Sequence, residues 1–130
     1  MRNGRNSIYI RLAIVGALLA ALGGGAWLSA LPQKSVPAKP FDLRAKTEFK
    51  GAMAIAALTW RDQSDNELGF EVLRSDDAGK TFKVVGMVGA NTTRHQDKVG
   101  KYVSGAYQYQ VRAFNETGKS EPSNVAGAWF

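Results

Sequence analysis

Residues 107–124 read YQYQVRAFNETGKSEPSN. The first half alternates strictly. In an extended chain Tyr107, Tyr109, Val111 and Ala113 fall on one face, and Gln108, Gln110 and Arg112 on the other. That is the pattern of a strand with one face in a core. The second half breaks the alternation with Asn115, Gly118, Ser120 and Pro122, residues that favour turns. A half-buried strand followed by a long polar turn points to an antiparallel sheet with one solvated face.

Outward from this stretch the same grammar repeats. After residue 40 there is no long run of helical periodicity. Short apolar alternations are separated instead by clusters of Gly, Asn, Asp and Ser. FDLRA is a first strand and AMAIAALTW a second, with Leu58 and Trp60 on one face. GFEVLRS puts Phe70 and Val72 on one face, Glu71 and Leu73 on the other. KTFKVVGMV sets Phe82 and Val84 in phase. NTTRHQD is a polar edge, AYQYQVRAF the alternating strand, and SNVAGAW the last. Seven short strands in about 90 residues predict an all-β, antiparallel two-sheet sandwich.

The residues from about 40 to 130 resemble a fibronectin type III domain. LTW ends the second strand and places Trp60 as the core tryptophan. NELGFEVLRS is similar to the family's third strand. Tyr107, Val111, Ala113, Asn115, Gly118, Ser120 and Ser123 follow the family's Y-x-x-x-V-x-A-x-N-x-x-G-x-S-x-x-S pattern. The resemblance implies a seven-stranded sandwich that works by contact with other proteins. It makes Tyr107 the corner tyrosine, whose hydroxyl bonds back to upstream backbone, and gives Asn115 a place in the turn after the sixth strand. The stretch VGKYVSGA before Tyr107 departs from the family by its length and its missing proline. No Arg-Gly-Asp tripeptide is present, so integrin binding is not carried over.

Charge and composition narrow the function classes. The chain has 130 residues and a formal charge of +6, with no cysteine and a single histidine, His95. Disulfides and thiolate metal sites are therefore excluded. Residues 1–40 carry +5 and residues 41–130 only +1. The basicity belongs to the N-terminus, and nothing in the near-neutral remainder marks a nucleic-acid partner.

Residues 12–31, LAIVGALLAALGGGAWLSAL, contain one polar residue, Ser29. Twenty residues of helix span about 30 Å, the thickness of a bilayer's hydrocarbon core. Arg2, Arg5 and Arg11 precede them and predict a cytoplasmic N-terminus with the remainder outside. Residues 1–31 thus form a signal anchor, or a signal peptide cleaved near Gly24-Gly25-Ala26 to give a secreted domain. Gly16, Ala20 and Gly24 form a stripe of small residues that suits helix packing. Residues 32–39, with Pro32 and Pro37, read as a proline-rich linker whose lysines meet lipid headgroups. The domain then occupies residues 40–130.

Site chemistry is sparse. SDDAGKTF, residues 75–82, resembles the Asp box of sialidase-type propellers. Here it lies between two strands, where Asp77 and Gly79 shape a turn. Glycoside hydrolysis needs a pair of carboxylates flanking a pocket, and the octapeptide supplies none. Asp62, Asp65 and Glu67 form the densest acidic cluster and are metal-ligand candidates without an EF-hand's glycine and glutamate spacing; a solvated loop is the simpler expectation. His95 is expected to face solvent. Asn91 and Asn115 match the glycan acceptor pattern. Tyr102, Trp129 and Phe130 are the candidate contact residues. The expected function is that of a non-enzymatic, membrane-anchored module binding other proteins as an accessory subunit, with no cofactor. The alternatives are a secreted adhesion or carbohydrate-binding domain, or a non-catalytic helper of a glycoside hydrolase.

Overall fold

The computed structural model describes residues 34–130, and residues 35–130 fold as one compact unit, Ser35–Phe130. The expected membrane segment and its small-residue stripe lie outside the described residues. Seven strands follow in order: β1 (Phe41–Lys50), β2 (Met53–Arg61), β3 (Gly69–Ser75), β4 (Lys83–Gly89), β5 (Arg94–Lys101), β6 (Ala106–Phe114) and β7 (Ala126–Trp129). They form two antiparallel sheets, one ordered β1-β2-β5 and the other β4-β3-β6-β7.

Alternation builds the core. Leu43, Ala56, Leu58 and Trp60 face inward from the three-stranded sheet, and Phe70, Val72, Tyr109, Val111, Ala113 and Ala128 from the four-stranded one. Trp60 and Phe70 meet across the gap with ring centroids 5.7 Å apart. Burying side chains of this size stabilises by about 1.5–3 kcal/mol each.

β3 differs from the expected half-buried strand. Its outer face is covered too: Glu71 is buried beneath Arg112, whose Nε lies 2.8 Å from Oε1, and Lys119, whose Nζ lies 3.0 Å from Oε2. β4 also departs from expectation. Leu73 pairs with Val84 but Val72 with Gly86, so Val85 is an extra residue in the ladder. This bulge reverses the phase. Val85 and Val88 pack on the core, while Val84 is turned out to solvent. Phe82, expected in phase with Val84 on one strand, lies before the strand begins and is half-buried.

The β6–β7 connection completes the sheet with side chains. Ser120 Oγ accepts from Ala113 N at 2.9 Å, and Ser123 Oγ from Val111 N at 3.0 Å. Each hydroxyl satisfies a buried amide of β6 that has no strand beside it there. Asn124 ties this segment to the other sheet: its side-chain amide exchanges two 2.9 Å hydrogen bonds with the backbone of Leu43.

The chain before β1 lies along the domain, so residues 35–39 do not act as a spacer. Ser35 O accepts from Asn66 Nδ2 at 3.1 Å and from Asn115 Nδ2 at 2.9 Å, and Lys39 O accepts from Gln63 Nε2 at 2.9 Å. Pro37 and Pro40 are buried.

Candidate functional site

The far end of β1 from this entry point is aromatic. Three segments meet there: the β1–β2 hairpin, the β5–β6 loop and the end of β7. Tyr102 N donates to Ala52 O at 3.1 Å, which ties the loop to the hairpin. Gly105 and Phe130 exchange two backbone bonds of 2.8 and 3.0 Å, and Thr47 Oγ1 donates to Trp129 O at 3.0 Å. The chain end is thereby clamped between both sheets. Phe130 stands edge-on to Phe49 at 5.9 Å and to Tyr107 at 5.8 Å.

Of the residues singled out from the sequence, Phe130 is half-buried in this ring cluster. Trp129 and Tyr102 project, 70% and 89% exposed, and Phe49 joins them at 59%. The Trp129 indole lies against Gly127; a Cβ at Gly127 would meet the ring at 3.1 Å. Glycine there leaves room for the ring, which stays largely exposed. Tyr102 holds a positive φ of 55°, a conformation uncommon for an aromatic residue, and the ladder-like bond to Ala52 keeps it there.

Next to the cluster, a polar group crosses the interior. Asp97 of β5 is buried and accepts from Arg74 Nη1 and from the Tyr109 hydroxyl, each at 2.8 Å. The Arg74 guanidinium also lies 5.7 Å from the centre of the Tyr107 ring. Burial pushes the Tyr109 phenol far above its ordinary range, reinforced by the bond it donates to Asp97. Burial works against the charge of Arg74, but Asp97 more than offsets it and holds the guanidinium's pKa above its usual value. The anchored tyrosine is thus Tyr109 and not Tyr107. Tyr109 pairs opposite Arg74 in mid-sheet, whereas Tyr107 sits two residues nearer the strand end, where its ring packs on Phe130 and Arg74.

Comparison with known proteins agrees with this geometry. The chain is similar to a crystallised Fn3-like protein from Clostridium thermocellum, at 26% identity and a TM-score of 0.57, over 72% of this chain and 92% of that one. FN3tt matches with a TM-score of 0.60 at 18% identity, over 74% of this chain and 96% of its own. The folded unit is a fibronectin type III-like domain. A β-1,2-glucanase from Parabacteroides distasonis is also similar, at 23% identity and a TM-score of 0.61, but the match covers 76% of this chain and only 14% of the enzyme. No family model matches the sequence, and no curated protein does.

Within this fibronectin type III-like domain the acidic cluster serves the loop. Asp62 Oδ1 accepts from Ser64 N at 3.0 Å. Glu67 is buried, with Oε1 accepting from Ser64 Oγ at 2.8 Å and Oε2 from Asn91 N at 2.9 Å. Burial alone would raise the Glu67 pKa, but these hydrogen bonds hold it below the ordinary value. Asp65 is exposed and does not converge with the other two, and no group of three metal-ligating side chains occurs among the described residues. The three candidates therefore do not assemble a metal site.

The SDDAGKTF octapeptide is a closed turn. Asp77 Oδ1 accepts from Thr81 N at 2.9 Å and from Ser75 Oγ at 2.7 Å, while Oδ2 accepts from Thr81 Oγ1 at 2.6 Å. Ser75 Oγ accepts from Gly79 N at 2.9 Å. Ala78 and Gly79 both have positive φ, 64° and 84°. The bonds from Thr81 and Ser75 hold the Asp77 carboxyl down at about 2. Every oxygen of Asp77 has a local partner, which is what a turn requires and a catalytic acid does not. A shallow cleft of about 300 Å³ is lined by Asp42, Arg44, Thr59, Trp60 and Arg61. It offers one carboxylate where glycoside hydrolysis needs two.

His95 does not face solvent as expected. It points to the inner side of β5 opposite Leu58, half-buried, with its Nε2 only 2.6 Å from where a Cβ of Gly86 would stand. The glycan pattern at Asn115 is also spoken for: Nδ2 is bonded to Ser35 O and Asn66 O, and Oδ1 accepts from Thr117 N and Gly118 N.

One surface escaped sequence reasoning. Ladder partners share a face, so the outer side of the three-stranded sheet reads rung by rung. Arg44, Thr59 and Arg94 form one rung, and Lys46, Ala57 and Gln96 the next. Glu48, Ile55 and Lys98 follow, then Lys50, Met53 and Lys101. With Arg61 beyond the first rung, seven cations share the face with Glu48 and with Asp42, which pairs with Arg44 and Arg61. The signal was the alternation of Arg44, Lys46 and Lys50 in RAKTEFK, obscured by the near-neutral total of the domain.

Proposed function

We propose that this chain is a non-catalytic interaction module on the outer side of the cytoplasmic membrane, tethered by its N-terminal segment and acting as an accessory subunit of a larger complex. The observation that carries the contact is the aromatic pole. Tyr102, Trp129 and Phe49 are all largely exposed at one end of the sandwich. Tryptophan and tyrosine are the residues that dominate protein contacts, and exposed clusters of this kind mark interaction sites. The pole is also prearranged, because Phe130, Gly105 and Thr47 fix the backbone that presents it. The tether enters at the opposite end of β1, about 33 Å away over ten residues of strand.

Purification of the full chain from its native membrane in mild detergent tests this. The chain co-elutes with another protein, and Tyr102→Ala/Trp129→Ala releases that protein without lowering the melting temperature. A wild-type chain that elutes alone would overturn the subunit reading.

A second reading has one specific support. The largely exposed Trp129 indole, beside Gly127, suits stacking on a sugar ring. The similar segment in the β-1,2-glucanase is compatible with it. Binding to a panel of polysaccharides, lost on Trp129→Ala, would favour this reading over a protein partner.

A further inference from the structure

We propose that the outer face of the β1-β2-β5 sheet docks on anionic lipid headgroups, so that the domain lies on its side against the membrane that tethers it. The inference rests on the anchoring in the proposed function and adds to it the surface that meets the lipid.

The charge is segregated by the fold. On this face β1 contributes Arg44, Lys46 and Lys50, and β5 contributes Arg94, Lys98 and Lys101, as two rows flanking Thr59, Ala57, Ile55 and Met53 of β2. Three adjacent strands set the rows about 10 Å apart; Arg44 and Lys46 stand about 7 Å apart, while Glu48 and Gln96 interrupt the rows and leave about 13 Å between Lys46 and Lys50 and between Arg94 and Lys98. The result is a cationic face whose central row includes the buried Ile55. Its acids do not cancel it: Glu48 stands alone on β1, and Asp42 is shared between Arg44 and Arg61.

The rest of the domain is arranged differently. Glu67, Glu71 and Asp97 are buried, the last two in ion pairs. On the outer face of the four-stranded sheet, Arg112 and Lys119 are both spent on Glu71. The end where the chain enters exposes Asp65, Glu116 and Glu121. That end also exposes Lys34 and Lys39, so an end-on approach to an anionic surface would present mixed charge. A sideways approach presents cations only a few residues from the entry point.

The tether permits that approach. The chain is fixed to the domain from Ser35 onward by Asn66 and Asn115. Four peptide steps separate residue 31 from Ser35 and reach about 14 Å at most. Surface charges act over about 8 Å at physiological salt. Each lysine or arginine that reaches an anionic leaflet strengthens binding about fivefold.

The chain has no cysteine, so single labels report cleanly. Gln96→Cys places a fluorophore on the basic face, and Met87→Cys places one on the outer face of the other sheet. The full-length variants are reconstituted in nanodiscs of phosphatidylcholine with or without phosphatidylglycerol, containing a headgroup nitroxide quencher. The Gln96→Cys label is expected to be quenched several-fold more than the Met87→Cys label, only with phosphatidylglycerol. The difference should disappear at about 1 M salt, where screening shrinks to about 3 Å. Lys46→Glu/Lys98→Glu should abolish it with the melting temperature unchanged. Equal quenching of the two labels in anionic discs overturns the proposal while leaving the anchor intact. A chain that does not stay in discs defeats the anchor reading instead. The labelled chain is then added to preformed phosphatidylglycerol vesicles, where selective quenching of the Gln96→Cys label supports the face and its absence overturns it. Protection of that label by single-stranded RNA with no response to lipid also overturns the lipid assignment.

Discussion

The hydroxyl of Tyr109 donates to Oδ2 of Asp97 at 2.8 Å, joining β6 of one sheet to β5 of the other through the interior. Arg74 binds the same oxygen, so one buried carboxylate holds three strands together. Such a group is worth less in net stability than its removal costs, because removal strands a buried charge.

Asp97→Ala should therefore destabilise strongly, by about 3–5 kcal/mol, since it leaves Arg74 unpaired. Tyr109→Phe removes one hydrogen bond and leaves the ion pair, so the cost should be about 1–2 kcal/mol. Urea denaturation of the two variants checks the order. Tyr107→Phe removes no hydrogen bond among the described residues and should leave the midpoint nearly unchanged, in contrast to what a corner tyrosine would do.

Gly86 and His95 make a second inter-sheet test. A methyl at Gly86 would meet the imidazole at 2.6 Å, so Gly86→Ala should cost about 1–3 kcal/mol through overpacking. Shortening the partner in Gly86→Ala/His95→Ala should recover much of that loss. Additive effects in the double mutant would mean that the two side chains do not meet.

Acid should weaken the domain in a defined way. Burial disfavours the Glu71 carboxylate, but Arg112 and Lys119 outweigh it and hold its pKa below the ordinary value of 4.5. Glu67 is lowered from 4.5 by its hydrogen bonds, and Asp77 from 3.8 to about 2. A carboxylate depressed in the folded state contributes fully above its unfolded pKa and loses that contribution as pH falls through the folded value. The melting temperature should thus be flat at neutral pH, begin to fall below about 4.5, and keep falling towards about 2. Glu71→Gln should lower the neutral plateau and flatten the upper part of this fall. A melting temperature constant down to pH 3 would contradict the bonding described for all three groups.

Much of this fold is legible in YQYQVRAF, because strict alternation beside a buried sheet leaves one choice of inward face. The serines of the following turn carry meaning as well, since Ser120 and Ser123 supply acceptors where no strand does. The outward turn of Val84 is not legible in the sequence, because one extra residue in β4 inverts every side chain beyond it and a bulge has no sequence period. The two tyrosines of β6 share a face, so alternation alone does not tell which one reaches Asp97. Register against β3 decides it. The basic face was hidden by summation. The carboxylates that balance it in the total are buried or lie on loops, and only the pairing of β1, β2 and β5 shows which charges remain together. At the aromatic pole Trp129 and Tyr102 stood out by residue type. Phe49 did not, because its position beside Phe130 depends on the chain end folding back between the sheets.

The claim that the aromatic pole is the contact surface is tested most directly by photocrosslinking in the native membrane. A photoreactive phenylalanine analogue replaces Trp129, Tyr102 or, as a control on the side of the sandwich, Met87. The account predicts a discrete adduct with the same partner protein from positions 129 and 102, and none from position 87. No adduct from either pole position, or adducts of equal yield from Met87, would contradict it.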